Sequence, residues 1–335
     1  MSLKFKVKVY FLLFFSVVIV WRNYVIVIGQ TQKPVLVALN KSEASLAIID
    51  PVEMKVVGKV PVGDGPHEVV LAADGRTAFV ANYGGQTPGS SLSVVDLEAK
   101  KELRRVDLAP ILRPHGLQEI GGKIYFTAET NRLIGRYDPA TNRVDWLMGT
   151  GQNASHMIVA TPDQKRFYTA NIGSDTVTAF EFQSAPPAPS RVTHIAVGKQ
   201  PEAIDLAPDG REVWVGLNAE GAVDIIDAAA NKTIERVKLG DRPYRVKFTP
   251  DGKSVVMTLP NTKEIVVVDA ATRRETKRFK LESAPLGIVF SKDGKTAFVS
   301  AVQADFVLKV DLEKAEVTGR AATGLAPDGL ALAGL

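Results

Sequence analysis

Three of the four histidines in this 335-residue chain hold the same place in a repeated pattern. His67, His115 and His156 each follow a proline or a serine, and each lies seven residues before the second half of a tight turn or its first residue, at Asp74-Gly75, Gly121-Gly122 and Asp163-Gln164. Three further copies place Glu202, Tyr244 and Leu286 after Pro201, Pro243 and Pro285, again seven residues before the Asp of an Asp-Gly turn. A last copy places Asp328 after Pro327, and the chain ends at Leu335 where its turn would come. Taken from that last copy onward, the position reads Asp328, His67, His115, His156, Glu202, Tyr244, Leu286. A run of three imidazoles flanked by carboxylates suits metal chemistry: neutral imidazole binds transition metals, and a carboxylate ligates or orients a histidine. The expected metal set is therefore His67, His115, His156, Glu202 and Asp328, around a divalent Zn, Cu, Mn or Fe. With an open coordination position such a site activates water, and Glu202 or Asp328 is then the candidate base. The plainer expectation is a wet channel lined with polar groups, since no compact ligand spacing accompanies the histidines.

What must position these side chains is a unit of four short strands. In the copy at residues 66–108, two β-branched or alternating runs flank Asp74-Gly75, a strong hairpin signal because both turn positions tolerate positive φ. Two more strands follow, near residues 92–97 and 102–108. The aligned positions 66, 114, 155, 201, 243, 285 and 327 stand 48, 41, 46, 42, 42 and 42 residues apart, the length of a four-stranded propeller blade. Residues 35–60 supply three strands without a first, and residues 325–332 supply a first strand without the rest. Pairing them closes the ring and removes its open edges. The expected fold is all-β: one seven-bladed propeller over residues 30–335, closed by a C-terminal first strand. Insertions at residues 84–90 and 184–189 are expected as loops.

Phe79-Val80-Ala81-Asn82-Tyr83-Gly84 and Tyr168-Thr169-Ala170-Asn171-Ile172-Gly173 resemble the YVTN repeat of lactonase-like and quinoprotein amine dehydrogenase-like seven-bladed propellers. The resemblance covers residues 34–335 and implies the architecture. Such propellers serve as lactonases, lyases, dehydrogenase subunits, surface proteins and binding scaffolds, so it implies no single activity.

Composition bounds the rest. Charged residues make up 23% and hydrophobic ones 45%, as in ordinary globular proteins, and there is no cysteine for a disulfide or thiolate site. Lys4, Lys6 and Lys8 precede an apolar run, and residues 1–29 read as a signal peptide or N-terminal anchor. Export to the periplasm or medium follows if the leader is cleaved, and a membrane anchor if it is not. Its four basic residues account for the whole net charge of +4, which leaves no overall basic footprint for nucleic acid.

Two other recurrent features complete the reading. An acidic residue ends the third strand of every unit (Asp50, Asp96, Asp138, Glu181, Asp227, Asp269, Asp311), as expected for side chains that nucleate the following turn. Strand aromatics such as Tyr125, Tyr168, Trp214 and Phe298 are expected as core. Around the histidines, Asn82, Glu129, Asn171 and Tyr244 are candidate ligand-binding residues. The function expected first is a monomeric scaffold binding a small molecule or protein at a His-rich channel mouth. A metal-dependent hydrolase, lyase or oxidase comes second.

Overall fold

The computed structural model describes residues 18–21, 24–27 and 33–335. Most of the leader expected at residues 1–29 lies outside the described residues. Of it, only an antiparallel pair is described, Val18–Trp21 against Tyr24–Val27. No helix among the described residues is long and apolar enough to cross a membrane.

Seven four-stranded antiparallel sheets form the body. Blade 1 is the split one: Pro327–Ala333 pairs with Val35–Asn40, followed by Ser45–Asp50 and Lys55–Pro61. Blade 2 contains Pro66–Leu71, Thr77–Gly84, Pro88–Asp96 and Lys101–Asp107. Blades 3 to 7 open with Pro114–Ile120, Ser155–Ala160, Pro201–Leu206, Arg245–Phe248 and Pro285–Phe290, each followed by three strands in chain order. The opening strands touch one another all round the ring, so they are the innermost and line the central channel.

The strands hold together by two means. Between blades lie seven apolar clusters, one per seam, filled by alternating β-branched and aromatic side chains. Tyr125, Tyr168, Trp214 and Phe298 are fully buried there, as their periodicity requires. Within blades, the acidic residue ending strand three caps the turn to strand four. Asp50 accepts from the Val52 N–H at 2.9 Å, and Asp96, Asp227 and Asp311 repeat this at the same offset. Glu181 departs, because its longer side chain pairs with Arg191 instead.

The insertion at residues 84–90 is mostly not a loop. Strands two and three of blade 2 continue as a longer hairpin in which Gly84 pairs with Pro88. Gly84 takes φ +84°, and a Cβ on Gly89 would sit 2.1 Å from the Asn82 carbonyl oxygen, so only glycine lets the two chains approach. Residues 184–189 form the expected bend-rich connection.

Candidate functional site

Each innermost strand except that of blade 6 starts with a register shift against its neighbour, at Pro66/Glu68, Pro114/Leu117, Ser155/Ile158, Pro201/Ile204, Pro285/Ile288 and Ala38/Asn40. A bulge re-aims side chains and ends regular pairing. Here it brings the residue after the proline toward its counterparts on other blades. The backbones are tight enough that a Cβ on Gly329 would lie 2.3 Å from the His67 carbonyl oxygen.

The structure draws the ring residues into two groups. In the first, the His115 ring stacks on His156 with centroids 3.7 Å apart, and His67 lies 5.1 Å from His115. Tyr83 packs its ring against both His67 and His115. Glu129 ties the group together: His156 Nδ1–H donates to its Oε1, and the Tyr83 hydroxyl donates to its Oε2 at 2.5 Å. His156 Nε2 then faces Glu202 Oε1 at 3.9 Å, beyond direct hydrogen bonding, while Asn218 Nδ2 donates to the other oxygen of Glu202. In the second group, the Tyr244 hydroxyl donates to Asp328 at 3.0 and 3.1 Å, and Lys41 Nζ reaches Asp328 at 3.2 Å. Arg245 stacks on the Tyr244 ring, lies 4.0 Å from Asp328, and forms an ion pair with Glu68 from the far side of the channel. Leu286 remains an apolar, buried member of the ring.

These groups are not solvated as a channel mouth would have them. His115 is 3% exposed and Asp328 0%. Burial pushes the His115 imidazole well below its ordinary range, with the neighbouring His156 and His67 adding to the effect. Burial also lowers His67, against the pull of Asp328. Burial and the bond to Glu129 push the Tyr83 hydroxyl up to about 12, so it is a donor at neutral pH. Burial alone would raise Glu129, but bonds from His156 and Tyr83 outweigh it and hold the carboxylate below its usual range. Burial likewise works against Lys41 and Arg245 at Asp328, and the two cations win.

The metal set does not assemble. Among the described residues, no three or more His, Asp or Glu side chains converge as a metal ion requires. The imidazoles lie side by side rather than pointing at one centre. His67 Nδ1–H is spent on the Gly65 carbonyl at 2.8 Å, His156 Nδ1 on Glu129, and Asp328 is held by Lys41 and Tyr244. Lone pairs remain, since His115 Nδ1 has no partner, so it is the side-by-side placement of the rings that leaves the expected set unassembled.

Two of the four expected ligand residues do something else. Asn82 is 1% exposed and clasps its own blade, accepting from the Gly63 N–H at 3.1 Å and donating to Ser91 and Ser93. Asn171 is fully buried against Ser155, Thr176 and Thr178 in the same manner. Glu129 and Tyr244 lie within the two hydrogen-bonded groups. Residue-by-residue reading missed Tyr83, Glu68, Arg245 and Lys41. A signal for Glu68 and Arg245 existed: two places after the proline, the other blades carry Gly329, Gly116, Met157, Ala203 and Gly287. Two opposite charges among small and apolar residues at one ring level mark a pair that spans the channel.

The buried histidines set a pH dependence. Both imidazoles bind protons more weakly folded than unfolded, so the stability they contribute is complete above the ordinary histidine value of 6.5 and is lost as pH falls below it. Each contributes a slope of up to about 1.4 kcal/mol per pH unit. Urea unfolding at pH 7.5, 6.0 and 5.0 is expected to show this loss, reduced in His115→Leu. An identical pH slope in the variant would remove His115 as a cause.

Comparison with known proteins fits this geometry. The family described as "Lactonase, 7-bladed beta-propeller" matches residues 30–185, a stretch carrying His67, Tyr83, His115, Glu129 and His156. The fold is that of a seven-bladed propeller, and the family match covers its N-terminal part. Among solved structures, it is similar to a functionally unknown protein from Desulfotomaculum acetoxidans, with TM-score 0.76 and 13% identity over 89% of this chain and 98% of that one. A putative 6-phosphogluconolactonase from Bacteroides fragilis gives TM-score 0.72 and 13% identity over 91% and 99%. Hydrazine synthase from Kuenenia stuttgartiensis gives TM-score 0.68 and 19% identity over 79% and 88%. At these identities the likeness is one of fold. No curated protein matches the sequence.

Proposed function

We propose that this propeller binds a small polar molecule against its histidine group. The observation that carries the reading is a pair of buried atoms without partners, His115 Nδ1 within that group and Asn218 Oδ1 beside Glu202. A buried polar atom left unpaired costs about 1–3 kcal/mol, so such atoms call for a ligand or an ordered water. A polyhydroxylated molecule, which both donates and accepts, satisfies the two together. The leader supports an exported protein, to be checked by the N-terminal mass of the purified chain and its cell fraction.

A second reading, ring opening of a cyclic ester, is favoured by the orientation of His156. Glu129 holds Nδ1–H, which leaves the Nε2 lone pair facing Glu202 across a gap that suits one bridging oxygen. A water there gives up its proton to His156 Nε2 while its oxygen bonds to the ester carbonyl carbon. The tetrahedral intermediate then collapses with loss of the ring oxygen, which takes up the proton. Tyr83, protonated at neutral pH, secures Glu129 rather than the substrate.

Glucono-δ-lactone and gluconate separate the two. Calorimetric titration measures binding, and acid release at constant pH measures turnover. A scaffold binds one or both without turnover. An esterase releases acid above the spontaneous rate and loses about 100-fold or more in His156→Ala, the usual worth of a general base. Neither binding nor turnover of these probes would overturn the polyhydroxylated ligand and the ester chemistry alike.

A further inference from the structure

Beyond the histidine group, on the other side of the Glu68–Arg245 pair, the channel widens into a cavity of about 590 Å³. Glu68 and Arg245 line it, and none of the three histidines does. The pair therefore lies between the histidine group and this cavity. The cavity is large enough for a small organic molecule, since ligand pockets typically measure about 300–1,000 Å³.

Its wall is uneven. Four places after the proline, the strands present Val70, Val159, Val289 and Ala331 from blades 2, 4, 7 and 1. Blades 3, 5 and 6 present Gln118, Asp205 and Lys247 at the same level. One arc, running over blades 7, 1 and 2, is thus apolar. The cations of the wall are already matched: Lys247 pairs with Asp205 at 3.0 Å, and Arg245 with Glu68. Gln118 is different. Its amide nitrogen reaches the Ala160 carbonyl at 3.4 Å, while its Oε1 is buried with no partner.

We propose that this chamber is a second binding site, for a neutral molecule with an apolar body and a hydroxyl head. The apolar arc takes the body. The unpaired Gln118 Oε1 accepts the hydroxyl proton. An anionic head is disfavoured because its desolvation finds no unmatched cation in the wall. The proposal is independent of what the histidine group binds.

The test is calorimetric titration of the full chain with 1-octanol and octanoate below their micelle-forming concentrations. Saturable one-to-one binding of 1-octanol is expected, at least 10-fold tighter than that of octanoate. Gln118→Leu should weaken 1-octanol at least 5-fold. Ala331→Phe, which fills the chamber, should abolish binding, and Val159→Phe serves if that variant does not fold. Gluconate or glucono-δ-lactone should not compete. The proposal is overturned by absence of saturable 1-octanol binding, by equal affinity for 1-octanol and octanoate, by full binding in the filled variant, or by competition from the sugar probes.

Discussion

Deletion of residues 325–335 is expected to abolish cooperative folding of the whole ring. The lost segment includes the innermost strand of blade 1, Pro327–Ala333, whose pairing with Val35–Asn40 joins the two ends of the chain in one sheet. Its removal bares the edge of Val35–Asn40 and withdraws Leu330, Leu332 and Leu335 from the seam between blades 7 and 1. It also takes Asp328 away from Lys41 and Tyr244. Each fully buried leucine is worth about 1.5–3 kcal/mol, and the strand's backbone pairing comes on top. Against a total stability of about 5–15 kcal/mol, such a loss is decisive. Thermal unfolding followed by circular dichroism checks it, and an unchanged midpoint would disprove the split blade as the ring's closure.

The second large effect is expected at Arg245→Met. The guanidinium is 7% exposed and faces Glu68 and Asp328, at 13% and 0%. Burial already pushes the Glu68 carboxyl up despite the arginine, so without that cation its charge has little to hold it. Removing one partner of a buried pair costs about 3–5 kcal/mol, whereas replacing both with apolar residues is often close to neutral. Glu68→Met/Arg245→Met should therefore recover most of what Arg245→Met loses. Chemical denaturation of the two variants and the wild type gives the comparison. Equal destabilisation by the single and the double substitution would show that the penalty comes from packing rather than charge.

The architecture was legible because its signals are local. A proline, a turn seven residues later and an acidic strand end recur within each blade, and each acts on its immediate neighbours. The identity of the ring residues was legible for the same reason. Their arrangement was not, because distances across the channel depend on the closed ring and on the bulges at the strand starts. Thus, of three histidines that read as converging ligands, His115 lies buried and stacked on His156, with His67 tilted against it. Asn82 and Asn171 were misread for a different reason. Each is followed by paired hydroxyl residues on the next strand, Ser91 and Ser93 or Thr176 and Thr178. That neighbourhood marks a clasp within the blade, and it is visible in the sequence once its meaning is known.

The bulges at the strand starts also bear on how such a molecule changes over generations. Because each blade packs through its seams, the residue at the start of the innermost strand lies outside the apolar clusters that hold the blades together. Seven such positions form an alphabet that can be rewritten one letter at a time, with the scaffold as the unvarying page. Leu286 is a letter that contributes no polar chemistry here, flanked by Tyr244 and Asp328. A histidine or carboxylate introduced there by a single codon change would join an existing acid–base neighbourhood without a new fold having to be invented.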